Sequence, residues 1–177
     1  GGFLFRSSIK FLQHSSHINF FRAKSTLLLR ELFLDLCDDC AVKNLLEIGA
    51  HEASISCDFL KSNSSNNRRA LAYEANPVTY KELTMQAQSF GVEVYNLGIS
   101  SAIGELEFNI PLQGDTGKLT ASNASFLTRT DDLTKYRKLN VPTDTIDHIF
   151  DSRSILGTSA LWIDVEGFAH EVIKGAT

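Results

Sequence analysis

Four short apolar runs stand out along the chain, each closed by a polar residue or a turn: Leu45–Ile48, Ala70–Ala75, Val92–Asn96 and Ala160–Val165. Runs that are continuous rather than alternating are characteristic of strands buried on both faces of a parallel sheet. The stretch Lys43–Ala53, KNLLEIGAHEA, is the centre of the pattern. Its apolar half carries one carboxylate, Glu47, and ends at Gly49, where the spacing predicts a sharp turn into a helix over Ala53–Lys61 with Ile55, Phe59 and Leu60 inward. The second run ends in Glu74 and is followed at once by Asn76-Pro77. Asn is a good N-cap and Pro fits the first helical position, so a helix is expected to start there. It should run through Tyr80, Leu83, Ala87 and Phe90 and close at Gly91. Strand and helix thus alternate from residue 43 to 96, the signature of an α/β fold with a parallel sheet and right-handed crossovers.

Outside this core the signals are more varied. Ser25–Leu36 predicts a helix with Leu28, Leu29, Leu32, Phe33 and Leu36 near one face. The tract from 62 to 69, SNSSNNRR, reads as a polar surface loop. Glu105–Ile110 alternates, setting Leu106, Phe108 and Ile110 on one side of a half-exposed strand after a turn at Gly104. Gln113–Ser125 reads as a long loop, Asp131–Lys138 as a helix or a mobile flap, and Val141-Pro142-Thr143 as the lead into a short helix over Asp144–Phe150. ALWIDV is a fourth buried strand, with a helix from Phe168 to Lys174. About 60 residues separate the third and fourth strands, more than a crossover helix needs, which favours a lid or acceptor-binding region over a surface elaboration.

The chain opens on Gly1 rather than Met and stops just after Lys174, as a piece of something longer would. Residues 1–30 contain no acid but carry Arg6, Lys10, Arg22, Lys24 and Arg30. They are either a targeting segment or, the favoured reading, an arm packed by Phe3, Phe5, Phe11, Phe20 and Phe21. We therefore divide the chain into an arm or helix, 1–24, and a single domain, 25–177.

Composition narrows the classes. A net charge of −4 gives no global reason to expect a nucleic-acid partner. No apolar run approaches the roughly 20 residues that span a bilayer. Three cysteines, Cys37, Cys40 and Cys57, are too few for a disulfide framework and favour a reducing, cytoplasmic setting. Cys37 and Cys40 form a CxxC without a second pair at zinc spacing, and no clustered ligand set argues for a metal. His14, His17 and His148 read as structural or solvated.

The chemistry is expected at the strand ends, where open α/β sheets bind ligands. Glu47 closes one strand and Glu74 the next, 27 residues further on. A carboxylate at the second position accepts both hydroxyls of a ribose. Alone, either acid reads as a solvated strand end; the pair points to function. The turn Gly49-Ala50-His51-Glu52-Ala53 lacks the GxGxxG glycines that let a backbone approach a pyrophosphate, and Glu47 and Glu52 add negative charge. A ligand with a ribose and a cationic centre suits such a site better than a dinucleotide, and S-adenosylmethionine has both.

In this order the segments resemble the FkbM-type S-adenosylmethionine-dependent methyltransferases. LLEIGAHEASIS is similar to the family's first motif, YEANPVTYKEL to its second, and VEVYNLGISSAIGELEF to its third strand and hairpin. NASF and VPTDTIDHI resemble its middle segments, and ALWIDVEGFAHEVIKGA its IDVEG segment, the most specific match. The resemblance implies a Rossmann-like class I methyltransferase sheet flanked by helices, incomplete at its C-terminal edge because the family continues with further strands. It also implies O-methylation of a hydroxyl on a saccharide or secondary-metabolite acceptor. Carried over residue by residue, Glu47, Gly49 and Ala50 would line the methionine end of the cofactor, with His51 also among the cofactor-binding residues. Glu74 would hold the ribose, with Ala75 beside it among the cofactor-binding residues, and Asn96, Leu97 and Gly98 would border the adenine. Asp164 faces the methyl group and acceptor, with Glu166 beside it. The chain departs from the family in having Glu47 for a commoner Asp, His51 for Asn, Ala53 for Gly, and His170 for an acid.

A neutral hydroxyl is a poor nucleophile near neutral pH, so an adjacent base helps the transfer. Asp164 is the first candidate for that role and His170 the next, with His51 at the opposite lip. Two alternatives stay open at this point: a nicotinamide-dependent oxidoreductase, and a cofactor-binding module without turnover.

Overall fold

The structure, a computed structural model, describes residues 16–62, 67–113, 118–119, 124–127 and 136–176. In chain order the first half contains α1 (Ser16–Asp39), β1 (Asn44–Ile48), α2 (Ser54–Ser62), β2 (Arg69–Tyr73), α3 (Pro77–Gln88) and β3 (Glu93–Tyr95). The second half contains β4 (Gly98–Ile99), β5 (Gly104–Gln113), β6 (Lys118–Leu119), β7 (Tyr136–Asp144), α4 (Ile146–Ser152), β8 (Ser159–Ile163) and α5 (Ala169–Lys174).

The four apolar runs pair as parallel strands in the order β3-β2-β1-β8, with β1 buried throughout. The register sets Glu47 level with Ala72 on one side and Trp162 on the other. Alternation along β1 explains why its run is continuous. Leu45 faces a core built with Phe59, Ala70, Ala72, Leu83 and Ala87, to which Phe33 of α1 adds its ring. Leu46 and Ile48 face the other way, into a core with Leu71, Tyr73, Ile146, Ile149 and Val172. A parallel sheet covered on both faces by helices is the α/β arrangement expected from the strand–helix rhythm, and it agrees with the Rossmann-like sheet that the resemblance implies. A second sheet, β4-β7-β5-β6, carries the antiparallel pair β5–β7 and a smaller core of Phe108, Ile110 and Val141.

The N-terminus of α3 forms as its sequence dictates: the Asn76 side chain accepts from the backbone N–H of Val78 at 3.0 Å, and Pro77 opens the helix. The helix stops at Gln88, however, so Phe90 lies beyond it. Its ring is capped by the Lys61 ammonium at 4.3 Å, while Gly91 takes the left-handed turn at φ +84°.

Other boundaries move for physical reasons. β8 is half-buried rather than buried, because among the described residues β1 is its single strand partner. Tyr136–Lys138 belong to β7, paired with β5, rather than to a helix or flap; residues 131–135 lie outside the described residues. Val141–Asp144 complete the same strand, and the helix begins only at Ile146, capped by the Thr145 hydroxyl. Most of the loop expected over 113–125, half of the tract 62–69 and residues 1–15 lie outside the described residues.

Helix α1 runs without a break through residues 24 and 25. Its inward face is not the predicted leucine row. Phe33 packs edge-on to Trp162 at 5.0 Å, Cys37 is buried, and the Arg30 guanidinium bonds Asp58 and the backbone carbonyl of Ser54. Leu28, Leu29, Leu32 and Leu36 face outward. The helix is apolar on two sides, and the ion pair and aromatic contact decide which side is docked. Among the described residues, no helix is long and apolar enough to cross a membrane.

Candidate active site

The site forms where β1, β2 and β8 end together. Gly49, at φ +79°, is the point of closest approach between two of them. A Cβ there would collide with the backbone carbonyl of Asp164 and come within 3.1 Å of the Val165 side chain. Glycine is therefore required twice, for its backbone angle and for the strand contact. The N–H groups of Gly49 and Ala50 both donate to the Tyr73 carbonyl, at 2.9 and 3.1 Å, and the Asp164 N–H donates to that of Ile48 at 2.9 Å. His51 and Ala53 then also take left-handed angles, φ +46° and +50°, bending the chain into α2.

Glu74 ties this turn to the next. One carboxylate oxygen accepts from the His51 N–H at 2.9 Å and the other from the Asn76 N–H at 2.7 Å. Burial raises its pKa above the ordinary carboxylate value; the bonds from Asn76 and His51 oppose that rise. A carboxylate offers about four lone-pair directions, so acceptor capacity remains beyond these two bonds. Asn96 supports the same corner from behind, its amide donating to the carbonyls of Glu74 and Ala75 at 2.8 and 3.1 Å.

The far wall comes from the second sheet. Ser125 forms an isolated bridge to Asn109 of β5, with reciprocal backbone bonds of 2.9 and 3.0 Å. That bridge sets Phe126 on Phe108 (ring centroids 4.8 Å) and on Phe168 (4.9 Å). Gly98 lies so close that a Cβ would sit 2.5 Å from the Phe126 ring. Together these elements enclose a crevice of about 270 Å³.

Of the residues singled out by sequence, Gly49, His51, Glu74, Ala75, Leu97, Gly98 and Asp164 line this crevice, and Glu166 joins them. Ala50 and Asn96 brace it from outside the lining. His170 is exposed on α5 and is not part of the lining.

Glu47 is also absent from the lining. It shares the parity of Leu45, so its side chain points toward α2, where it accepts from the Ser56 N–H at 2.8 Å. There it satisfies the otherwise unpaired donors of the helix N-terminus. Phe108, Ser125 and Phe126 also line the crevice, and the sequence alone does not single them out as site residues. Phe108 and the NASF segment were visible as pattern and motif, but nothing local says that they meet.

Burial raises the Glu47 pKa, with bonds from Ser56 and Ile55 and the Arg30 charge opposing it. A carboxyl whose folded-state pKa is raised stabilises the fold below its unfolded pKa, and that contribution is lost as pH rises through the folded value. Glu47→Gln keeps the shape and one acceptor but never ionises. Its stability relative to the parent chain should therefore improve as pH rises from the acid range toward neutrality, measured as urea midpoints at successive pH values. A variant whose stability relative to the parent stays constant, or falls, as pH rises would contradict the burial of an ionising group there.

Electrostatically, the crevice presents Glu74, Asp164 and Glu166, and no Lys or Arg among its described lining residues. Among the described residues no group of three or more His, Cys, Asp and Glu side chains is placed to hold a metal. The lining mixes these acids with Ile48, Leu97, Phe108 and Phe126, so it offers an apolar slot edged with negative charge. Such an arrangement repels phosphate and accepts a cation beside an apolar ring.

A family model described as the Methyltransferase FkbM domain matches residues 47–177. No curated protein and no solved structure matched the chain.

Proposed function

Since the chain belongs to the FkbM methyltransferase family, we propose that it uses S-adenosylmethionine to methylate a hydroxyl of a saccharide or secondary-metabolite acceptor. The observation that carries this reading is the charge of the crevice: three carboxylates without a lysine or arginine among its described lining residues. A sulfonium ion fits that field, whereas the pyrophosphate of a nicotinamide dinucleotide would meet acids and an alanine-containing turn.

The residues suit the parts of the ligand. Glu74 has acceptor capacity left for a ribose diol, and Gly49, which permits the close contact of β1 with Asp164, lines the same crevice. Leu97, Gly98 and Phe126 supply flat apolar surface for a base. When bound, the cofactor supplies an electrophilic methyl carbon on a good leaving group. What remains for the chain is to align an acceptor oxygen and take its proton. Asp164 stands exposed at the rim of the crevice and is the group we assign to that proton; Glu166 borders the same rim.

Calorimetry separates this reading from a dinucleotide-dependent one. The parent chain should bind S-adenosylmethionine and S-adenosylhomocysteine and give no heat with NAD. Tighter binding of NAD would overturn the proposal.

A further inference from the structure

Helix α1 presents a face that the described part of the domain leaves open. Leu28, Leu32 and Leu36, spaced four apart, and Leu29 beside them are each 51–57% exposed. Its opposite face is the one docked, through Arg30, Phe33 and Cys37. Single exposed leucines are ordinary, but a contiguous row on one helix marks an interaction surface.

The charges on the same helix run the wrong way for a helix on its own. Its first turn holds no acid and its last turn no base, while Glu31, Asp35, Asp38 and Asp39 crowd its C-terminal half. The helix macrodipole favours the reverse order. Arg68 neutralises Asp38, but Glu31, Asp35 and Asp39 are exposed beside the leucine row, and Lys24 is exposed toward the other end.

An antiparallel copy of α1 resolves both features. Leu28, Leu32 and Leu36 are spaced four apart and are symmetric about Leu32. A two-fold axis near Leu32 therefore sets Leu28 against Leu36 of the partner subunit, and Lys24 near Asp39 of the partner subunit. The positive N-terminal end of one helix then lies along the acidic half of the other, and every contact is made twice. We infer that this face of α1 is a homodimerisation surface, pairing antiparallel with α1 of a second copy of the chain.

Sedimentation equilibrium of the full chain over a wide concentration range tests it. A monomer–dimer equilibrium is expected. Leu32→Lys places two like charges at the axis and should raise the dissociation constant on the order of 100-fold. Met85→Lys, at an exposed position on α3, should leave it unchanged. Lys24→Asp and Asp39→Lys should each weaken the dimer several-fold, and the double variant should restore it. The proposal is overturned by a parent chain that stays monomeric, by a Leu32→Lys dimer as tight as the parent, or by a double variant no tighter than the singles. It is equally overturned by a monomer that binds anionic lipid vesicles through α1. A monomer whose Leu32→Lys variant melts earlier would also overturn it, by showing that the leucines are covered within one chain.

Discussion

Replacing Asp164 by Asn is expected to slow methyl transfer by about 100- to 10,000-fold while leaving unchanged the affinity for S-adenosylhomocysteine, which lacks the sulfonium charge. The expectation rests on where the residue is fixed. Its N–H is bonded to the Ile48 carbonyl at 2.9 Å, and its own carbonyl abuts Gly49, so its backbone is held against the end of β1. The side chain is exposed at the crevice rim and plays no part in those bonds. Asparagine preserves shape and the strand contact but cannot take up the acceptor proton. Turnover is measured as S-adenosylhomocysteine formed with an acceptor that the parent chain methylates, and binding by calorimetry. His51→Gln is the companion variant, because His51 lines the same crevice. It should keep its rate within a few-fold. Equal turnover in the Asp164 variant together with a large loss in the His51 variant would transfer the base role to the imidazole.

The contrast between Glu47 and Glu74 shows what a sequence displays and what it hides. Both acids close apolar runs and look alike in a one-dimensional pattern. Glu74 follows the last residue of β2, where the chain has left the sheet and the side chain can reach the neighbouring turns. Glu47 is still within β1, and the two-residue alternation sends it into the layer under α2. A strand covered on both faces gives no sequence cue to which face is which, so that distinction needed the third dimension.

Helix α1 hid its docked face for a related reason, since apolar residues occur on two sides and a tertiary ion pair chose between them. The element order from β1 to β3 was legible because each boundary has local chemistry, such as the Asn76-Pro77 start of α3. The Phe126 wall was not legible, because the Asn109–Ser125 bridge that positions it joins residues remote in sequence.

Glu74→Ala should weaken S-adenosylhomocysteine binding by about 100-fold or more and should also lower the melting temperature of the ligand-free chain. The first effect follows from losing the acceptor for two ribose hydroxyls, since hydrogen bonds to a charged group contribute about 1.5–3 kcal/mol each. The second follows from the two bonds the carboxylate already makes. Alanine strands the N–H of Asn76 in a buried corner and frees the turn at His51 from its part-buried bond. An unsatisfied buried donor costs about 1–3 kcal/mol, and each kcal/mol shifts the midpoint of a chain this size by roughly 2–4 °C. Desolvation of the carboxylate, which raises its pKa, offsets part of that loss, so the stability change should be the smaller of the two effects. Affinity is therefore read by calorimetry well below the variant's own midpoint, where the folded population is full. Unchanged affinity in a folded Glu74→Ala variant would remove the ribose assignment. A fall in stability without a fall in affinity would leave Glu74 as a brace between two turns and nothing more.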